Sequence, residues 1–236
     1  MKDLSSEIIR DKVYVYSSIS AFEERDFYPQ ALAVFHNYCG PEGMLSKSET
    51  HSALHYCFGW SKQKRDKAIA ALLRHGLIID GDSEEVSRYS RFFEGTKGYY
   101  LSGFTCRYRL NGNSMSNFSW LDCDGSMIAG VSFDTEMLFD MIPQVDDITL
   151  KLYIYLSIQD SYWKSQKTFY MFHIRGKNGL VDKMGYVQSN NTAQKMSTRL
   201  KELMDSGYIE YSESQVYKTR FGKPIGQSMQ LIRVHR

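Results

Sequence analysis

Two amide–cation pairs, Gln63-Lys64 and Gln194-Lys195, are the groups in this chain best suited to act on another molecule. A glutamine amide can pair with the N6/N7 edge of adenine, and a lysine ammonium reaches guanine O6/N7 or a phosphate oxygen. Asn190, Asn191 and Thr192 precede the second pair and Arg199 follows it; Ser61, Lys62 and Lys67 flank the first. The chain has no GxxxxGK[ST] loop, no HExxH and no GxSxG. A nicking enzyme needs a His-apolar-His metal pair and a nucleophilic tyrosine. His173-Ile174-Arg175 is the nearest approach and lacks the second histidine. Enzymatic activity is therefore not expected. His51 and His55, at i and i+4, could form a zinc set with Cys57 nearby and Cys39 close in the fold. No carboxylate or further histidine is placed to complete it, so an ordinary helix face is the simpler reading. Neither a metal nor a cofactor is expected.

The elements that must position the pairs repeat. Thr192 to Ile209, TAQKMSTRLKELMDSGYI, reads as one helix and its exit. Thr192 is a candidate N-cap. Met196, Leu200, Leu203 and Met204 fall at i, i+4, i+7 and i+8, one apolar stripe of helical period. Gly207 supplies the left-handed residue that ends helices, and Tyr208-Ile209-Glu210-Tyr211 begins a strand pattern. Ser61 to Ile78, SKQKRDKAIAALLRHGLI, follows the same plan without a gap. Ser61 stands against Thr192, Gln63-Lys64 against Gln194-Lys195, Ile69 against Leu200, Leu72-Leu73 against Leu203-Met204, and Gly76 against Gly207. One position breaks the stripe: Arg65 stands opposite Met196.

A chain of 236 residues suits one large or two small domains. The formal net charge of +2 excludes a polycation, but the charges are segregated. Residues 61–78 carry Lys62, Lys64, Arg65, Lys67 and Arg74 against Asp66 alone. Residues 111–147 carry Asp122, Asp124, Asp134, Glu136, Asp140, Asp146 and Asp147 and no base. Bases gathered on the two repeated helices are the footprint of a nucleic-acid face; the plainer reading of each is a solvated helix face. Cys39, Cys57, Cys106 and Cys123 show no CxxC pairing or framework spacing and read as reduced thiols. No run approaches the roughly 20 apolar residues of a membrane span. The opening MKDLSSEIIR lacks the apolar region of a secretory signal, so a cytoplasmic location is expected.

Along the chain, Val13–Ile19 alternates like a short strand, and a helix is expected from Pro29, with Leu32, Phe35 and His36 on one side. Gly40-Pro41-Glu42-Gly43 breaks it. Ser46 or Ser48 caps a second helix ending at Gly59. After the helix from Ser61, residues 88–93 and 99–110 are strand-like around a turn carrying Lys97. The acidic stretch 111–146 is too apolar for a free linker, and Thr135–Met141 reads as a helical turn or two. Asp146-Asp147 caps the apolar helix ITLKLYIYLSIQDSYW. Thr168–Phe172 reads as a strand and Leu180–Met184 as a short helix. Residues 215–220 and 229–234 pair as strands, with Lys218, Arg220, Lys223 and Arg233 making that hairpin basic.

This pattern, over 29–110 and again over 147–234, resembles the winged-helix superfamily of DNA-binding domains. LKELMDSGYIE followed by a basic hairpin with GKP is similar to replication initiators of plasmids and phages and to replisome organisers. The resemblance implies an α+β fold with two winged helix-turn-helix domains in tandem. The first spans 1–110 with a long wing, 111–146 forms an acidic, partly packed connection, and the second spans 147–236. In such domains the third helix enters the major groove. Gln63 and Gln194 are then expected on adenine, Lys64 and Lys195 on guanine or phosphate, and Arg199 on phosphate, with Ser61, Lys62 and Lys67 at the same face of the first domain. Asn190, Asn191 and Thr192 would hold a phosphate at the positive helix end. Lys97, Lys218, Arg220 and Lys223 would lie along the backbone or minor groove. The expected function is sequence-specific binding of double-stranded DNA, as a replication initiator or transcriptional regulator of a bacterial or mobile element. Expected partners are double-stranded DNA, a second copy of the chain, or a replication or transcription protein; a membrane is not among them. The alternative is a protein-interaction adaptor, a replisome organiser or antirepressor, that uses winged helices as scaffolds.

Overall fold

The computed structural model describes residues 11–39, 43–81, 98–101, 119–121, 127–218 and 224–236. It is a mixed α+β fold of helices and small antiparallel sheets. The chain divides into two compact units. The first comprises Met1–Ser18 and Asp26–Gln144, and the second Ile19–Arg25 and Val145–Arg236.

In the first unit, strand β1 (Lys12–Ser18) pairs antiparallel with β6 (Met127–Asp134), which also pairs with β5 (Ser119–Leu121). The stretch read as a connection therefore contributes two strands and a helix to this unit. That helix, α4 (Thr135–Met141), starts where the Asp134 carboxylate accepts from the Met137 N–H at 3.1 Å. A helix–strand–helix–helix–strand–strand series forms the rest: α1 (Gln30–Tyr38), β2 (Met44–Ser46), α2 (Lys47–Phe58), α3 (Lys62–Arg74), β3 (Ile78–Asp80) and β4 (Gly98–Leu101). The last strand lies in the middle of its sheet, in the order β2-β4-β3. Helix α1 is buried along its whole length because it packs on β1, α2 and α3 at once. Ser46, of the two serines considered, caps α2 in a full capping box with Glu49. Most of the hairpin read over 88–110 lies outside the described residues, so Gly98–Leu101 is its described part.

The second unit has the same order of elements. They are α5 (Asp147–Ser165), β7 (Met171–Phe172), α6 (Leu180–Lys183), α7 (Asn190–Asp205), β8 (Ile209–Lys218) and β9 (Pro224–Val234). Again the last strand is central, in the order β7-β9-β8. Asp146 caps α5, accepting from the N–H groups of Ile148 at 3.0 Å and Thr149 at 2.7 Å. From Thr149 to Asp160 every residue of α5 is buried, under β9, α7 and the 3-10 turn Ile19–Glu23. Gly76 after α3 and Gly207 after α7 have φ of +62° and +74°, a region costly for residues with a Cβ. Each lets the chain leave its helix directly into a strand. Among the described residues no helix is long and apolar enough to cross a membrane.

Candidate nucleic-acid interface

Helix α7 begins one turn earlier than its sequence suggested. Ser189, not Thr192, is the N-cap: its hydroxyl accepts from the Thr192 N–H at 3.1 Å, and the Thr192 hydroxyl accepts from the Ser189 N–H at 3.0 Å. The two hydroxyls thus form a reciprocal capping box. The early start brings Asn190 and Asn191 into the helix and Ala193 onto its buried stripe with Met196, Leu200 and Leu203. Met204, expected on the stripe, is 37% exposed. A buried stripe at this spacing forces the other faces outward. Asn190, Asn191, Gln194 and Lys195 are all exposed there. The side chains of Asn191, Gln194 and Lys195 make no hydrogen bond or ion pair among the described residues.

Arg199 is held differently. Its guanidinium grips Asp146 with two bonds, Nε to Oδ1 at 3.2 Å and Nη2 to Oδ2 at 2.6 Å. Burial acts to raise the Asp146 carboxyl, but the bonds from Arg199 and Thr149 and the Arg199 charge outweigh it and hold the group below the usual carboxylate range. Arg199 thus ties α7 to the cap of α5. Its expected phosphate role has to contend with a partner already in place.

Sequence reasoning passed over the loop ahead of α6. The Gly176 N–H donates to Gln188 Oε1 at 3.3 Å, and Gln188 Nε2 returns a bond to the Gly176 carbonyl at 3.2 Å. Arg175 Nη1 donates to Asn190 Oδ1 at 2.9 Å. Exposed Arg175 and Lys177 therefore join the face formed by the start of α7. Nothing in their local pattern marked them, because the bonds that bring them there span 12 and 15 positions.

Helix α3 presents a more occupied surface. Ser61 is its N-cap, as expected, accepting from the Lys64 N–H at 3.4 Å. Ala68, Ile69, Ala71 and Leu72 are buried. Arg65, which breaks the stripe, turns its Nη1 to the His51 carbonyl at 2.8 Å, so a hydrogen bond replaces apolar packing there. The Lys64 ammonium lies 4.8 Å from the ring centres of both Tyr28 and Trp60, and Phe58 stacks on Trp60 at 4.4 Å. Lys67 pairs with Asp26 at 3.4 Å. Lys62 and Gln63 are exposed, and their side chains make no hydrogen bond or ion pair among the described residues. The aligned lysines thus differ: Lys195 projects into solvent, while Lys64 rests on an aromatic shelf.

Lys218 ends β8 opposite Pro224 in the strand register. Lys97, Arg220 and Lys223 lie outside the described residues.

The histidines and cysteines considered as metal ligands have separate engagements. His55 Nδ1 meets the Trp60 carbonyl at 3.2 Å, and the Cys39 thiol donates to the His36 carbonyl at 3.4 Å. His51 faces Asp66 at 3.7 Å. Burial, with the charges of Arg65 and Lys62, lowers its pKa against the opposing pull of Asp66. Cys57 donates to the Tyr38 hydroxyl at 3.9 Å, and burial pushes its thiol up to about 11. A thiol so raised is a poor nucleophile and ligand near neutral pH. Among the described residues no three His, Cys, Asp or Glu side chains cluster as a metal would require.

Comparisons with protein-family models, with curated proteins and with solved structures yield no match to this chain.

Proposed function

We propose that both units are winged-helix domains and that the chain is a sequence-specific double-stranded DNA-binding protein, serving as a replication initiator or transcriptional regulator. The observation that carries this reading is the recurrence, in both units, of helix–strand–helix–helix–strand–strand with the last strand central. In each copy the third helix exposes polar residues in its first half, Lys62 and Gln63 in α3 and Asn190, Asn191, Gln194 and Lys195 in α7. Such a helix fits the B-DNA major groove, which is about 12 Å wide. Its amides and cations then meet base edges, and flanking cations meet phosphates. In α7 the base-reading set is Asn191, Gln194 and Lys195, with Asn190 and Arg175 at the groove edge. In α3 it is Lys62 and Gln63.

The test is a titration of the purified protein against a library of random genomic fragments at two salt concentrations, with sequencing of what is retained. The expected result is enrichment of a repeated or palindromic site, with retention falling as salt rises. A site beside an origin supports the initiator role, and one beside a promoter the regulator role. Retention without enrichment removes sequence specificity. No retention at any salt overturns the reading. It would favour the adaptor alternative, which the engaged state of Lys64, Arg65 and Lys67 on α3 already suits for the first unit.

A further inference from the structure

We propose that Arg25, carried by the Ile19–Arg25 segment, is a DNA-phosphate contact of the second unit, beside the turn that leads into α7. This rests on the DNA-binding reading above.

The segment is an integral part of that unit. Phe22 is wholly buried and meets the Tyr155 ring edge-on at 5.2 Å. Lys151, 2% exposed, donates its ammonium to the Glu24 carbonyl at 2.7 Å. Lys183 on α6 pairs with Glu23. The backbone of the segment then crosses Gly185. A Cβ on Gly185 would stand 2.4 Å from the Glu23 carbonyl oxygen and 3.0 Å from the Arg25 nitrogen. Only glycine admits so close a passage, and its φ of +77° suits glycine as well.

These contacts fix the Arg25 backbone at the α6–α7 turn, four residues before the Ser189 cap. The Arg25 side chain is exposed and makes no hydrogen bond or ion pair among the described residues. Its charge is nevertheless felt at Tyr186, next to Gly185. There burial raises the phenol, while Arg199 and Arg25 pull it down. Glu23 pairs with Lys183 of α6, and Arg25 is the basic residue that the segment itself brings to this turn. When the first half of a helix occupies the major groove, the turn before it runs along the phosphates. The docked backbone fixes where the Arg25 side chain begins, so a charge-assisted bond to a phosphate there requires ordering of that side chain alone.

The experiment uses the full chain and a fragment retained in the library selection, titrated from about 50 to 200 mM salt. The parent is compared with Arg25→Gln, Arg25→Lys and Lys195→Ala. Arg25→Gln should weaken specific and random DNA by the same factor and lower the slope of log K against log salt by about 1. Arg25→Lys should restore the slope. The proposal is overturned if Arg25→Gln binds like the parent while Lys195→Ala loses affinity; the DNA-binding reading then stands without this contact. A loss confined to specific DNA overturns it too, since that marks base reading. So does a fall in melting midpoint alongside the affinity, which would assign Arg25 to folding. A parent without salt-dependent DNA affinity removes both readings.

Discussion

Lys195 and Lys64 occupy aligned positions, and their surroundings separate their roles. Lys195 stands exposed beside Gln194, while the Lys64 charge is stabilised by two ring faces. Lys195→Ala should therefore weaken specific DNA by about 1–3 kcal/mol and random DNA by less. Lys64→Ala should act mainly on folding, losing about 0.5–1 kcal/mol of cation–π attraction. Parallel DNA titrations and thermal melts of the two variants check this; equal losses of DNA affinity would remove the distinction. Asp146 gives a pH-dependent counterpart. Its folded-state pKa lies below the unfolded one. The stability it contributes is therefore complete above its unfolded value of about 3.9 and is lost as pH falls through the folded value. Asp146→Asn keeps an N-cap for α5 but removes the charge opposite Arg199. The Asp146 side chain is 53% exposed, so the variant should cost about 1 kcal/mol or less at neutral pH. It should also flatten the acid limb of the stability curve, as urea midpoints between pH 7 and pH 3 would report. An unchanged acid limb would show that the pair contributes nothing measurable.

At the scale of elements, the legible features were those set by neighbours along the chain. Ser61 as cap, Gly76 and Gly207 as helix exits, and Thr135–Met141 as a helix all follow from local chemistry. Local pattern does not fix the start of α7, because Ser189-Asn190-Asn191-Thr192 contains four residues that can cap. The choice falls to Ser189 because its partner three residues on is Thr192, whose hydroxyl closes the reciprocal box. Thr192 also bonds the Val187 carbonyl at 2.8 Å, which fixes the turn entering the helix. Arg65 was visible only as a mismatch; its use as a donor to the His51 carbonyl depends on the packing of α2 against α3. Ser189→Ala should cost about 1 kcal/mol and loosen the first turn of α7. Hydrogen exchange should then speed up at Thr192 and Ala193, whose N–H groups bond to Ser189, while Leu200 and Leu203 stay protected. Uniform protection across α7 would show that the loop bonds from Gln188 and Arg175 hold the turn without the cap.

At the scale of the whole molecule, what the sequence could not yield is the path of the chain. Residues 19–25 separate β1 from α1, both in the first unit, yet they fold into the second. No periodicity announces this, because the contacts that decide it join positions far apart. Lys151 reaches Glu24 across 127 positions, and Lys183 reaches Glu23 across 160. The physical requirement is plain once seen. The ammonium of Lys151 is buried, and a buried charge needs a partner in place. Here the Glu24 carbonyl is such a partner, and Phe22 packs against Tyr155 nearby. The second unit is therefore expected to lose stability when a residue more than a hundred positions away is trimmed. Phe22→Ala removes a wholly buried ring and should cost about 3–5 kcal/mol. The loss should fall first on the unit that holds α5. Hydrogen exchange should rise at Tyr153, Tyr155 and Leu231, while amides of α1 and α3 keep their parental protection. If protection fell instead in α1 and α3 with α5 unchanged, residues 19–25 would be serving the first unit, and the division of the chain at Ser18 and Asp26 would have to be redrawn.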